Sequence, residues 1–183
     1  LNQSALLLAL IINISLVFSV QANTITQKIE DQEQLLGARI GVSIYDVIKK
    51  KLWSYNGNEH FPLMSTFKTL ACAKLLADIE NGLQSFDTSS AITTNSLIDW
   101  SPITEKLVGE KISLKEACSA TMIMSDNTAA NIVLSGIKGP LSLTRFMRSI
   151  GDKVTRLDRI EPDLNEAVDG DKRDTTTPNA IVK

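Results

Sequence analysis

Hydrophobic and polar positions change rhythm several times along the chain, and each change predicts an element. The run from Ala5 to Val20 is apolar and carries no charge, and it leads into Val20-Gln21-Ala22, whose small residues suit a signal-peptidase cut after Ala22. From Ala38 to Tyr45 small or apolar residues alternate with larger groups. Lys51 to Tyr55 resumes that extended pattern after a lysine-rich turn, which predicts a hairpin at the edge of a sheet. Pro62 breaks the chain, and Ser65 opens a helical stretch in which Phe67, Leu70, Ala71, Leu75 and Ile79 recur at helical spacing as far as Asn81-Gly82. Ser113-Leu114-Lys115-Glu116 is a capping box that starts a second helix, through Cys118 to about Met124. Ser125-Asp126-Asn127 interrupts it. Another helix is predicted from Thr128 to Leu134, closing at Gly136, and an amphipathic one from Leu141 to Ile150, closing at Gly151. Asp152 to Pro178 is charged and has no sustained period, and a loop of that length inside a compact domain usually carries function.

Composition narrows the classes. With 183 residues and 43% hydrophobic content the chain can build one substantial core. Its net charge of -2 is spread over mixed acids and bases, without the basic stripe and interleaved aromatics of a nucleic-acid binder. The apolar run near the start reads as a cleaved export signal over residues 1–22, with a membrane anchor as the competing reading; the run is short for a span and no second apolar segment follows. The opening Leu1-Asn2-Gln3-Ser4 lacks an initiator Met and a basic stretch, so the expectation is a sequence incomplete at its start. Export implies an oxidising compartment, where two cysteines, Cys72 and Cys118, read as one disulfide; two buried thiols are the alternative. One His and no paired Cys/His spacing leave nothing to build a zinc site from, and no metal is expected.

Three short patterns carry chemistry. Ser65-Thr66-Phe67-Lys68 sets a hydroxyl and an amine three residues apart, on one face of a helix. An amine that is neutral part of the time can take the hydroxyl proton and activate it, and the helix start offers backbone N–H groups where an oxyanion develops. The spacing alone proves little, since Ser135-Gly136-Ile137-Lys138 repeats it at a helix end. Ser125-Asp126-Asn127 lies in a turn that can present a hydroxyl and an amide to a cleft while Asp126 ties the turn together; a plain helix cap would also account for Asp126. Arg156 to Asn165 holds Glu161 and Asn165 at a spacing that lets both address one water, and Arg159 with the distant Asp174 can pair across the segment and close it.

Taken together, Phe61-Pro62-Leu63-Met64-Ser65-Thr66-Phe67-Lys68, the Ser125-Asp126-Asn127 turn and the Glu161 to Asn165 loop resemble the class A serine β-lactamases from about Ala38 to Lys183. Gly151-Asp152-Lys153 and Thr155 to Pro162 are most similar to the carbenicillin-hydrolysing penicillinases. The resemblance implies an α/β (α+β) architecture of the serine β-lactamase/DD-peptidase type, with an all-helical subdomain beside an antiparallel sheet flanked by helices. It implies Ser65 as the acylated nucleophile, Lys68, Ser125 and Glu161 as its catalytic partners, and a deacylating water held by Glu161 and Asn165. Either Lys68 or Glu161 would be the base for acylation. Ser125 would relay a proton to the leaving nitrogen, and Asn127 would hold a substrate amide carbonyl. Trp100 falls where the family has an aromatic wall, with a partly buried core aromatic as the alternative. Cys72 and Cys118 sit where many members have a disulfide. His60 receives no catalytic role, because nothing in the sequence pairs with it.

The expected reaction is hydrolysis of the β-lactam amide bond of penicillins, giving antibiotic resistance. β-Lactam antibiotics are the partners, and no cofactor, no nucleic acid and no stable membrane association after signal cleavage are expected; the enzyme would be a periplasmic or secreted monomer. The family also carries a Lys/Arg-Thr-Gly strand, and no such triplet follows Asp174. The expectation is therefore that residues 23–183 form an incomplete catalytic domain whose final strands and C-terminal helix are missing, inactive by itself although the full-length product hydrolyses penicillins. Competing readings are a penicillin-binding DD-peptidase or transpeptidase, which shares the first two patterns, and a non-hydrolytic β-lactam sensor domain. Neither needs the water-holding Glu161 and Asn165.

Overall fold

The computed structural model describes residues 25–182, so the export-signal reading of residues 1–22 lies outside the described residues. Two compact units are distinguished, Leu1–Gly57 and Asn58–Lys183.

In the first unit a helix, α1, occupies 25–36. The predicted hairpin follows as β1 (Val42–Asp46) and β2 (Lys51–Tyr55), antiparallel, with Val42 opposite Tyr55 and Asp46 opposite Lys51. Asp46 makes the turn, its Oδ1 accepting the Ile48 and Lys49 N–H groups at 3.0 and 2.9 Å, and Lys50 takes a left-handed φ of 53°. Glu33 ties helix to hairpin by accepting the Tyr55 hydroxyl at 2.6 Å and the Ile40 N–H at 2.6 Å. That carboxylate pushes the Tyr55 hydroxyl up to about 12.

The second unit is a helical cluster trimmed by very short strands. β3 (Phe61–Pro62) pairs antiparallel with β6 (Thr175–Thr176), Phe61 opposite Thr176 and Pro62 opposite Thr175. β4 (Ser89–Ala91) pairs antiparallel with β5 (Lys111–Ser113). The helices are α2 (Phe67–Glu80), α3 (Leu114–Met124), α4 (Asn127–Gly136), α5 (Pro140–Ser149) and α6 (Pro178–Ile181). Helices with small antiparallel sheets are the mixed class expected. Ser113 and Glu116 cap α3 reciprocally, as their spacing requires. Phe67, Ala71 and Leu75 on α2, Leu114 and Ala117 on α3, Val133 and Leu134 on α4 and Leu143 on α5 bury one shared core. Cys72 and Cys118 form a disulfide that joins α2 to α3 across 46 residues, and closing such a loop stabilises by about 4 kcal/mol in the chain-entropy account. No helix among the described residues is long and apolar enough to cross a membrane.

Gly136 ends α4 against Leu114, the first residue of α3. A Cβ placed there would meet Leu114 Cδ2 at 2.7 Å and Cδ1 at 2.9 Å, and Leu114 is itself fully buried. Alanine has the better helix propensity, yet Gly136→Ala is expected to lower stability by about 1–3 kcal/mol, because overpacking outweighs propensity. Urea denaturation of the full-length protein measures this, and a Leu114→Ala background should remove most of the cost. A stabilising Gly136→Ala would mean that the close approach is not a packing constraint.

Candidate active site

Three segments converge on one buried amine. The first is the turn before α2. The sequence pattern predicts a helix opening at Ser65; instead Met64–Thr66 form a single 3-10 turn and α2 begins at Phe67. Leu63 explains the turn, since its carbonyl accepts the Thr66 N–H at 3.0 Å and also the Thr66 hydroxyl. Ser65 therefore stands exposed at the entrance, while Phe67 and Lys68 point inward. Met64, just before it, has a φ of 45°.

The second segment is the turn between α3 and α4. Ser125 closes α3 in a left-handed conformation (φ 56°), which swings its hydroxyl toward Ser65, Oγ to Oγ 3.1 Å. Asp126 is completely buried and serves as more than a cap. It accepts the Ala129 N–H at 2.9 Å, the Ile103 and Thr104 N–H groups at 3.0 and 2.9 Å, and the Thr104 hydroxyl at 2.8 Å. One carboxylate thus fixes the turn against the 103–104 loop. Asn127 donates from Nδ2 to the Asp99 carbonyl at 2.7 Å, and its N–H donates to the Trp100 carbonyl at 3.0 Å. Trp100 is 67% exposed, which removes the buried-core alternative for it. Its indole N–H donates to the Met124 carbonyl at 3.1 Å and its φ is 63°.

The third segment is the long loop. Asp174, completely buried, closes its neck by accepting the Asp158 N–H at 2.7 Å, the Arg159 N–H at 2.9 Å and Arg159 Nε at 2.6 Å. Arg159 also pairs with Glu166. Arg156 grips Asp158 through two hydrogen bonds of 2.8 and 2.5 Å. Asn131 holds Glu161 by both backbone groups, donating to its carbonyl at 2.9 Å and accepting its N–H at 3.0 Å. Sequence reading missed Asn131. The available signal was its position four residues after Asn127, hence on the same face of α4.

Lys68 Nζ is the meeting point. It lies 3.1 Å from Ser65 Oγ, 2.9 Å from the Ser125 carbonyl, 3.0 Å from Ser125 Oγ, 2.6 Å from Asn127 Oδ1 and 3.2 Å from Glu161 Oε1. Lys68 and Glu161 are 2% and 1% exposed. Asn165 donates to Glu161 Oε2 at 2.5 Å, whereas Glu161 Oε1 is buried with the Lys68 ion pair and without a hydrogen-bond partner. A buried acceptor without a protein donor, close to a serine hydroxyl, is a position that a water can fill. Ser135 and Lys138, which repeat the Ser65–Lys68 spacing, are both exposed at the end of α4. His60 does have a partner: its Nδ1 lies 2.9 Å from Thr175 Oγ1.

Hydroxyl, amine and carboxylate in a row, joined by a hydrogen bond and an ion pair just ahead of a helix, are a constellation suited to acyl transfer to serine. The chain belongs to the Beta-lactamase enzyme family, whose sequence profile matches residues 23–183. It is 54% identical over 169 residues to Beta-lactamase PSE-4 of Pseudomonas aeruginosa, covering 91% of this chain and 59% of that protein. Beta-lactamase AER-1 of Aeromonas hydrophila is 45% identical, over 91% of this chain and 55% of that one. Among solved structures, the chromosome-encoded β-lactamase of Vibrio parahaemolyticus superposes with a TM-score of 0.82 at 52% identity, covering 85% of this chain and 59% of that one. An ancestral Gram-negative class A β-lactamase gives a TM-score of 0.81 at 46% identity, over 85% and 60% of the two chains. The chain thus spans a little over half the length of these relatives.

Two outcomes follow from the carboxylates that shape the site. Asp126→Ala strips four donors of their acceptor and is expected to destabilise the full-length protein by about 3 kcal/mol or more, read by urea denaturation; a near-neutral result would show that the donors find other partners. The Asp158 carboxyl is held below its ordinary value of 3.8, first by the Arg156 hydrogen bond. A depressed carboxyl contributes stability that is fully present above its ordinary value and is lost as pH falls through the depressed one. Asp158→Asn should therefore cost up to about 1 kcal/mol at neutral pH, screened because the pair is partly exposed, and nothing in strong acid. A difference that grows toward acid pH would contradict this.

Proposed function

We propose that the protein hydrolyses the β-lactam amide bond of penicillins through an acyl-serine intermediate. The observation that carries this reading is the row Ser65 Oγ, Lys68 Nζ, Glu161 Oε1, with steps of 3.1 and 3.2 Å, inside a protein family of β-lactamases. Lys68 is the direct neighbour of the Ser65 hydroxyl. When the proton of the buried pair rests on Glu161, the freed Lys68 amine accepts the hydroxyl proton as Ser65 Oγ bonds to the lactam carbonyl carbon. A second path for that proton runs through a water on Glu161. The Ser65 backbone N–H serves the resulting oxyanion. As the lactam C–N bond breaks, Ser125 Oγ passes a proton from Lys68 to the leaving nitrogen; its contacts with Lys68 at 3.0 Å and Ser65 at 3.1 Å support this relay.

Deacylation belongs to the long loop. Once the proton of the pair has passed back from Glu161 to Lys68, a water at Glu161 Oε1 aimed by Asn165 loses its proton to Glu161 as it attacks the acyl carbon, and Ser65 leaves with the proton of Lys68. Asn127 keeps one amide hydrogen beyond its bond to Asp99, and this hydrogen receives the substrate side-chain carbonyl. The exposed indole of Trp100 forms the wall of the cleft. The apolar run ahead of Ala22 supports export, with the enzyme meeting antibiotic in the periplasm.

Glu161→Gln in the full-length protein keeps the shape and removes the base. Deacylation is expected to slow by roughly a hundredfold or more, so that a penicillin adduct accumulates as a stable mass increase on Ser65. Unaltered turnover would favour a mechanism without Glu161. Absence of any adduct in both proteins would sink the acyl-serine reading itself.

A further inference from the structure

His60 is the single histidine of the chain, and the mechanism above does not use it. It lies one residue before β3, in the segment that leads to the Ser65 turn. Its Nδ1 is 2.9 Å from Thr175 Oγ1, and Thr175 follows Asp174, the residue that closes the long loop. The direction of this bond can be read. The Thr175 hydroxyl has one hydrogen, and it donates to the Lys172 carbonyl at 2.7 Å. Thr175 Oγ1 must then accept, and His60 Nδ1 carries the proton. Burial, seconded by the positive charge of Lys172, holds the imidazole below its ordinary value, so the neutral ring with hydrogen on Nδ1 is the species at neutral pH.

The place of this bond gives it leverage. β3 begins one residue after His60, Thr175 is the first residue of β6, and the two strands pair over only two residues, Phe61 with Thr176 and Pro62 with Thr175. Next along, the Leu63 N–H donates to the Asp174 carbonyl at 2.8 Å. Leu63 in turn accepts from Thr66 and shapes the turn that bears Ser65, while the Asp174 carboxylate gathers Asp158 and Arg159, two residues before Glu161. A two-residue ladder sets register weakly. The imidazole adds a directional side-chain bond to it, at the junction between the strand that delivers the nucleophile and the strand that closes the loop holding Glu161.

We propose that His60 is a positioning residue for deacylation, setting through its Nδ1–H bond to Thr175 the register between the Ser65 turn and the Glu161 loop. This rests on the deacylating role given to Glu161. Loss of the bond loosens the neck of the loop, so the step that depends on the water at Glu161 suffers, whereas Ser65 and Lys68, both anchored on the α2 side, keep their contact.

The test separates the two steps and adds a readout independent of turnover. Presteady-state kinetics of the full-length protein with a penicillin give acylation and deacylation rates for wild type, His60→Ala, His60→Asn and His60→Gln. Hydrogen exchange follows the Leu63, Asp158 and Arg159 amides in the same proteins. His60→Ala should slow deacylation by about five- to tenfold, the scale of one hydrogen bond, slow acylation distinctly less, and speed exchange at the three amides. Asn places an N–H where Nδ1 stood and should restore both readouts, whereas Gln, which reaches past Thr175, should not. Equal slowing of both steps, or His60→Asn as impaired as His60→Ala, would overturn the proposal. Should the wild type form no acyl-enzyme, the proposed reaction fails, and exchange unchanged by His60→Ala would then separately refute the positioning role.

Discussion

Burying the Lys68 ammonium beside the Glu161 carboxylate, at 2% and 1% exposure, is the constraint from which the arrangement of the second unit follows. Removing two such ions from water costs several kcal/mol each, and their mutual attraction offsets that only when the remaining hydrogen-bonding positions are filled. Lys68 fills its own with four further oxygens, from Ser65, Ser125 and Asn127. Those oxygens come from segments far apart in sequence, so the turn before α2, the α3–α4 turn and the long loop must all arrive at one point. The pair is thus a poor stabiliser in itself and a strong organiser. The same burial sets Glu161 Oε1 3.2 Å from Lys68 Nζ and leaves that oxygen without a hydrogen bond from the rest of the protein.

Two other buried carboxylates solve the anchoring problem by different means. Asp126 takes its four hydrogen bonds from neutral donors, three backbone N–H groups and one hydroxyl. A turn pinned this way cannot shift without stripping several bonds at once, and Ser125 and Asn127 on either side inherit that rigidity. Asp174 combines two backbone N–H groups with the Arg159 guanidinium, itself shared with Glu166 and partly open to solvent. The neck of the long loop therefore depends in part on a charge that water and salt reach, and the loop is the softer of the two walls.

Much of this architecture was legible, and the misses have identifiable causes. The capping box at Ser113 and Glu116, the hairpin around Lys49 and Lys50, and the helix closed by Gly151 are local, since the residues that make them lie within a few positions of one another. β3 and β6 have two residues each and partners more than a hundred positions apart, so no alternation could reveal them. The start of α2 was misplaced by two residues because Leu63 and Met64 impose a 3-10 turn that periodicity does not encode. Ser65–Lys68 and Ser135–Lys138 share a spacing and differ in everything tertiary, one lysine buried and the other exposed. Asn131 and His60 escaped for the same reason, because their partners are set by the fold rather than by neighbours.

Of the eight non-glycine residues with left-handed φ among the described residues, four lie at or beside the site. Met64, Trp100, Ser125 and Asp174 all have left-handed φ values, between 45° and 63°, and each flanks a group of the site. Such a conformation costs roughly 1–2 kcal/mol for a residue with a side chain, and it persists only where the surroundings over-determine it. The surroundings here are on view: Leu63 bonded into the Asp174 carbonyl, Asp126 fixed beside Ser125, and Trp100 tied through both its carbonyl and its indole. At Ser125 the strained residue directs its own hydroxyl to within 3.1 Å of Ser65 Oγ. The strain at Met64 and Ser125 accompanies the 3.1 Å approach of the Ser65 and Ser125 hydroxyls, and the four bonds to Asp126 supply the rigidity that makes the second of these turns tolerable.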